Sequence, residues 1–178
     1  PQDGRNADLL LRNADAAMYK AKESGRNTFQ FFTPELNRLV AERIGLEQRL
    51  RSALKRRQFL LHFQPRVDLR SQRIVGAEAL LRWRDPELGE VPPGRFIPVA
   101  EESGFIVAIG DWVLRQAVLQ AAQWRAAGHP LAVAVNVSAL QFRQPGFVEG
   151  VAQVLREAGL PPALLELELT ESILIQDV

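Results

Sequence analysis

From residue 59 onward the hydrophobic positions switch repeatedly between a period of two and a period near 3.6. Residues 59–67 and 73–84 alternate as strands, with Ser71-Gln72 as the turn between them. Within the second run, Ala77, Ala79, Leu81 and Trp83 share one face, and Glu78, Leu80 and Arg82 share the other. Pro92-Pro93-Gly94 then opens a short helix that ends near Ser103-Gly104. A longer helix follows to Ala127, with Asp111 as its expected cap and Gly128 and Pro130 as its stop. Ala132–Val137 is a strand, residues 146–158 a helix closed by Gly159 and Pro161-Pro162, and residues 164–169 another strand. Strands alternating with helices of this length predict βαβ units, hence a parallel sheet or barrel.

The first third of the chain has a different rhythm. Leu10, Ala14, Ala17, Met18 and Ala21 recur at helical spacing, and Ser24-Gly25 is the expected C-cap. Residues 28–32 (TFQFF) predict a short strand. Thr33 and Pro34 then start a helix whose leucines continue the apolar side to about residue 57. The pattern divides the chain into residues 1–33, a linking helix over 34–57, and a βα region over 58–178.

Composition narrows the function classes. Of the 178 residues, 47% are apolar and 24% charged, the balance of a globular protein. A formal net charge of +1 gives no general attraction to a nucleic-acid polymer or an anionic membrane. Lys55-Arg56-Arg57 reads as a solvated helix end, and Trp83, Trp112 and Trp124 as packing residues. The absence of cysteine excludes thiolate metal sites and disulfides, and accords with a cytoplasmic setting. The apolar runs 104–110 and 131–137 are too short to cross a bilayer, so any membrane anchor is expected elsewhere in the parent protein.

Three strands place polar groups in apolar surroundings. Beside Glu78, Asn136 shares a face with Ala132 and Ala134, while Glu166 and Glu168 face away from the leucines that alternate with them. In each strand a bulky face suits outer helices, and a face of small or polar residues suits a barrel interior. Polar groups near the C-terminal ends of parallel strands are where a (β/α)8 barrel assembles its site. Glutamate and asparagine offer oxygen ligands, which suit Mg²⁺ or Mn²⁺. Arg82 has the two-pronged geometry for a phosphate. Together these groups describe a metal-dependent phosphoryl site. The plainer alternatives are an ion pair between Glu78 and Arg82 without catalysis, and a turn role for Asn136.

Five ordered stretches resemble the EAL family: Phe63-Gln64-Pro65, residues 78–83 (EALLRW), residues 96–104 (FIPVAEESG), residues 135–138 (VNVS) and residues 168–172 (ELTES). Ala14-Asp15-Ala16-Ala17-Met18-Tyr19-Lys20-Ala21-Lys22 and Ser24-Gly25-Arg26-Asn27 resemble the end of a GGDEF (diguanylate cyclase) domain. The first resemblance implies a bacterial hydrolase that converts cyclic di-GMP to its linear form. It further implies that Glu78, Asn136 and Glu168 are metal ligands and that Gln64, Leu80 and Arg82 contact the dinucleotide. Glu171 would act behind the ligands, holding the active-site loop. Glu166 matches no ligand position and is left structural.

The family pattern continues past Val178 with paired aspartates, a lysine and a further glutamate. The expected fold is therefore α/β, about the first half of a (β/α)8 TIM-like barrel, preceded by a helix-strand GGDEF remnant. Such a half-barrel leaves the strand at 164–169 as an apolar edge. Either the chain is a piece of a longer protein, the favoured reading, or a second copy completes it as a homodimer or domain-exchanged dimer. The expected activity is a phosphodiesterase in the parent domain, with this chain alone inactive. The rival is a cyclic di-GMP receptor that signals without turnover.

Overall fold

A computed structural model describes residues 5–23 and 27–169. The Ser24-Gly25 cap and the Glu171 position lie outside the described residues. The chain forms two compact units, Pro1–Gln48 and Arg49–Val178, divided within one helix.

In the first unit, helix α1 (Ala7–Glu23) precedes helix α2 (Pro34–Ala53). Ala16, Ala17 and Leu36 are buried together, with Phe32 and Val40 packed against them. Asn37 Nδ2 donates to Asn13 Oδ1 at 2.8 Å. The expected strand at residues 28–32 is absent, and its Phe29 and Phe31 are 74% and 79% exposed. A β-prone segment becomes a strand only where a neighbouring ladder accepts it.

The linking helix also ends earlier than residue 57. After Ala53 the chain turns, Arg57 takes a φ of 55°, and Gln58 N returns to the Ala53 carbonyl at 3.0 Å. Burial sets this stop. Ala53 is wholly buried, Gln58 is buried with its Oε1 accepting from Trp83 Nε1, and the next residue begins a strand. Lys55, Arg56 and Arg57 are exposed, as a solvated turn requires.

The second unit is built on a mixed sheet. Strands β1 (Phe59–Asp68), β2 (Arg73–Asp85), β3 (Gly89–Val91), β4 (Ala132–Val137) and β5 (Leu165–Leu169) include the path β1-β2-β4-β5, with β3 on the far end of β2. Only β2, β4 and β5 run parallel. β1 is antiparallel to β2 because residues 69–72 are too few for a crossover, and a bulge falls between Arg66 and Val67. The short β3 extends this antiparallel part beyond the expected elements. Its turn is held by buried Asp85, which accepts from Glu87 N, Leu88 N and Arg49 Nη1 at 2.9–3.0 Å.

Helices α3 (Pro93–Glu102) and α4 (Phe105–Ala126) follow directly on one another, hinged at Gly104 with a φ of 76°. Asp111 therefore sits inside α4 rather than at its cap. The apolar period begins at Ile106 and Ile109, both buried, so burial carries the helix back to the glycine. By length and composition α4 is apolar enough to cross a membrane, longer than either apolar run. Here Ile109, Val113, Ala117, Val118 and Ala121 are buried within the fold, as in a core helix. Phe63 meets Trp124 edge-on at 5.0 Å, and Trp83 meets Phe96 edge-on at 5.5 Å. One sheet face thus packs on helices, as the alternation predicts. A four-residue helix, α5 (Ala139–Phe142), and then α6 (Phe147–Ala158) complete the crossover to β5.

Candidate functional site

The register collects the polar positions on the other sheet face. Gln64 lies opposite Glu78, Glu78 beside Ala134, Ala134 beside Glu166, and Asn136 beside Glu168. With a side-chain period of two, Leu60, His62, Gln64, Arg66, Glu78, Leu80, Arg82, Asn136, Glu166 and Glu168 all belong to this face. Glu78 stands mid-strand in β2, yet close to the C-terminal end of the parallel ladder, which covers only residues 76–79 of that strand.

Close strand approach makes the juxtaposition. A Cβ on Gly76 would stand 2.7 Å from the Ala132 carbonyl oxygen, so glycine permits β2 and β4 to meet there. Asn136 Nδ2 donates to Glu78 Oε1 at 2.7 Å, joining two of the sequence-derived positions directly. Asn136 is exposed at the strand end, whereas Glu78 is half-buried.

The segment after Asn136 is fixed by groups that the strand pattern did not reveal. Ser138 and Gln141 form a reciprocal capping box at the start of α5, and both are buried. The Gln141 side chain occupies the space over Gly110 of α4, where a Cβ would lie 1.7 Å from Nε2. The only sequence signal is a Ser followed three residues later by Gln. Gly110 inside a helical run gives no hint of which side chain needs its space.

Among the described residues, no ion pair joins Glu78 to Arg82. Arg82 Nη1 donates to the Leu81 carbonyl at 2.9 Å. Beside Arg82 and Asn136 opens an apolar cavity of about 280 Å³, lined also by Leu81, Ile97, Ile106 and Glu101. Burial, and then the Glu102 charge, raise the Glu101 carboxyl above its ordinary range.

Arg66, which sequence reasoning passed over, reaches from β1 to β5. Its Nη1 pairs with Glu166 Oε2 and lies 3.9 Å from Glu168 Oε1. The hydrogen bond and charge of Glu166, with smaller contributions from Glu168 and Glu78, hold the guanidinium above its ordinary pKa.

Among the described residues, no group of three or more His, Cys, Asp or Glu is arranged to hold a metal ion. The set Glu78, Asn136 and Glu168 has two carboxylates and one amide on adjacent strands, an all-oxygen donor set suited to a hard divalent cation. With its nitrogen on Glu78, the Asn136 amide needs half a turn about its last torsion to exchange the positions of Oδ1 and Nδ2.

The family described as EAL domain matches residues 47–178. The chain is 46% identical over 178 residues to the Bifunctional diguanylate cyclase/cyclic di-GMP phosphodiesterase MucR of Pseudomonas aeruginosa, covering 99% of this chain and 26% of that protein. It is 44% identical over 177 residues to the Cyclic di-GMP phosphodiesterase PdeR of Escherichia coli K12, covering 99% of this chain and 27% of that protein. A solved structure described as "PaMucR Phosphodiesterase, c-di-GMP complex" superposes with a TM-score of 0.71 at 46% identity, over 75% of this chain and 54% of that one. The chain thus spans about a quarter of the length of these two relatives.

Proposed function

The chain belongs to the EAL domain family, and from that premise we propose that it is the first half of a bacterial cyclic di-GMP phosphodiesterase domain, preceded by the end of a GGDEF domain. The observation that carries the reading is the register placing Glu78, Asn136 and Glu168 on neighbouring parallel strands and one face. Two of the relatives above are named as phosphodiesterases of this dinucleotide, which supports the substrate.

In this reading Glu78, Asn136 and Glu168 hold Mg²⁺ or Mn²⁺. The metal supplies Lewis acidity toward the phosphodiester and a more acidic attacking water. Arg82, free of any ion pair with Glu78, offers its guanidinium to a phosphate oxygen. Gln64 and Leu80 line the same face and contact the dinucleotide. By the same resemblance, Glu171 is assigned the support of the active-site loop. In this reading the remaining acids and the lysine of the family pattern are supplied by the rest of the domain, and turnover is expected of the complete domain.

The N-terminal unit fits the GGDEF reading in two ways. The relative named as a diguanylate cyclase aligns over nearly all of this chain, and the first unit exposes Leu11, Met18, Phe29 and Phe31. Such side chains suit the body of an adjoining domain. The parent works in the cytoplasm, anchored or not by segments elsewhere.

The test compares the complete domain containing this chain with the 178 residues alone, incubated with cyclic di-GMP and Mn²⁺. The complete domain is expected to release linear dinucleotide, and Glu78→Ala to lower the rate by about a hundredfold or more. The short chain is expected to release none. Tight binding without turnover by the complete domain would replace the enzyme with a receptor.

A further inference from the structure

Glu166 and Arg66 lie one step from the three proposed ligands, and their arrangement is asymmetric. Arg66 hydrogen-bonds Glu166 but makes only a long ion pair, 3.9 Å, with Glu168, two residues further along the same strand face. Both sides of the pair are nearly half-exposed, with side-chain exposures of 45% and 46%. An ion pair in that setting contributes little to stability. Its consequence lies instead in where the cation sits.

The charges on this face make the position matter. Glu78, Glu166 and Glu168 share it with Arg66, and a guanidinium bound to Glu168 would compete with a divalent cation for the same oxygens. Glu166 is the carboxylate that captures Arg66 first. Given the reading of Glu168 as a metal ligand, we propose that Glu166 is a positioning residue that holds Arg66 away from Glu168 and keeps that carboxylate available to the cation. In this arrangement Glu166 ligates nothing itself. Arg66 in turn satisfies a carboxylate that would otherwise add a surplus negative charge beside the ligands.

This arrangement makes three charge variants behave in a way that simple damage cannot imitate. With Glu166→Gln, Arg66 loses its main partner and moves onto Glu168, so Mn²⁺ binding weakens by about tenfold, as for other groups just behind a ligand. With Arg66→Gln, the competitor is gone and binding tightens by severalfold. With both changes, affinity returns to within about threefold of the unaltered chain, because neither competitor nor decoy remains.

The experiment is Mn²⁺ titration of the complete domain containing this chain, and of these variants within it, read from the free-ion electron paramagnetic resonance signal, with melting curves beside it. Glu78→Gln marks the background. Opposite signs for the two single variants and recovery in the double one support the proposal. Weaker binding in both singles with no recovery would mean that the pair only braces the sheet. An unchanged Glu166→Gln would also overturn the proposal while leaving the metal reading intact. Binding in the unaltered domain no greater than in Glu78→Gln would remove the metal reading and this inference together.

Discussion

Single residues carry most of this site's chemistry, and their environments separate them. Asn136 is held to Glu78 by a hydrogen bond of 2.7 Å, while Arg82 turns to a backbone carbonyl three residues from that glutamate. The ion-pair alternative for Glu78 and Arg82 is therefore not the arrangement adopted. Glu101, which lines the apolar cavity, has a pH effect of definite sign. Burial first, and Glu102 second, raise its carboxyl, so the folded state binds that proton more tightly than the unfolded chain. Stability from this group is fully present below the ordinary carboxylate range and is lost as pH rises through the raised value. At neutral pH the ionised side chain weighs against folding. Glu101→Gln is accordingly expected to raise the melting temperature at pH 7, with the gain vanishing below about pH 4. A gain that persisted unchanged in acid would assign it to packing instead.

The elements show where local pattern is enough and where it is not. β4 and β5 have the expected boundaries to within a residue, because alternation bounded by glycine and proline is a strong signal. The segment at 28–32 carries equally strand-like residues and forms no strand among the described residues, since no ladder is offered to it. Similarly, Asp111 has the chemistry of a cap, yet α4 begins at Gly104 where the apolar period begins. Element placement in turn positions the ligands. Gly76 lets β2 and β4 meet, and that meeting brings Glu78 within reach of Asn136. Gly76→Ala is expected to cost about 1–3 kcal/mol in chemical denaturation, because its methyl group meets backbone oxygen rather than a movable side chain. A smaller loss would mean that the two strands can part at no cost to the sheet.

At the scale of the whole molecule, the sheet ends on one side at β5, which among the described residues is paired only with β4. Leu167 and Leu169, on the face that should meet an outer helix, are 38% and 46% exposed. An apolar edge of this kind recruits strands from other chains. The 178 residues are expected to self-associate in sedimentation experiments, and Leu167→Lys with Leu169→Lys to reduce that association. Association untouched by the two lysines would point to the exposed side chains of the first unit, Phe29 and Phe31, as its cause. The sequence by itself determined the alternation that sorts helix-facing from site-facing residues, the all-oxygen character of the donor set and the family resemblance. These depend on residue type and spacing along one strand, which are local properties. Only the tertiary structure decided which strands distant in the chain pair with one another, and that Gln141 fills the space over Gly110. It also decided that Arg66 crosses from β1 to β5 and meets Glu166 before Glu168. Such contacts join residues 31 and about 100 positions apart, and nothing in either segment alone specifies its partner until the sheet brings them together.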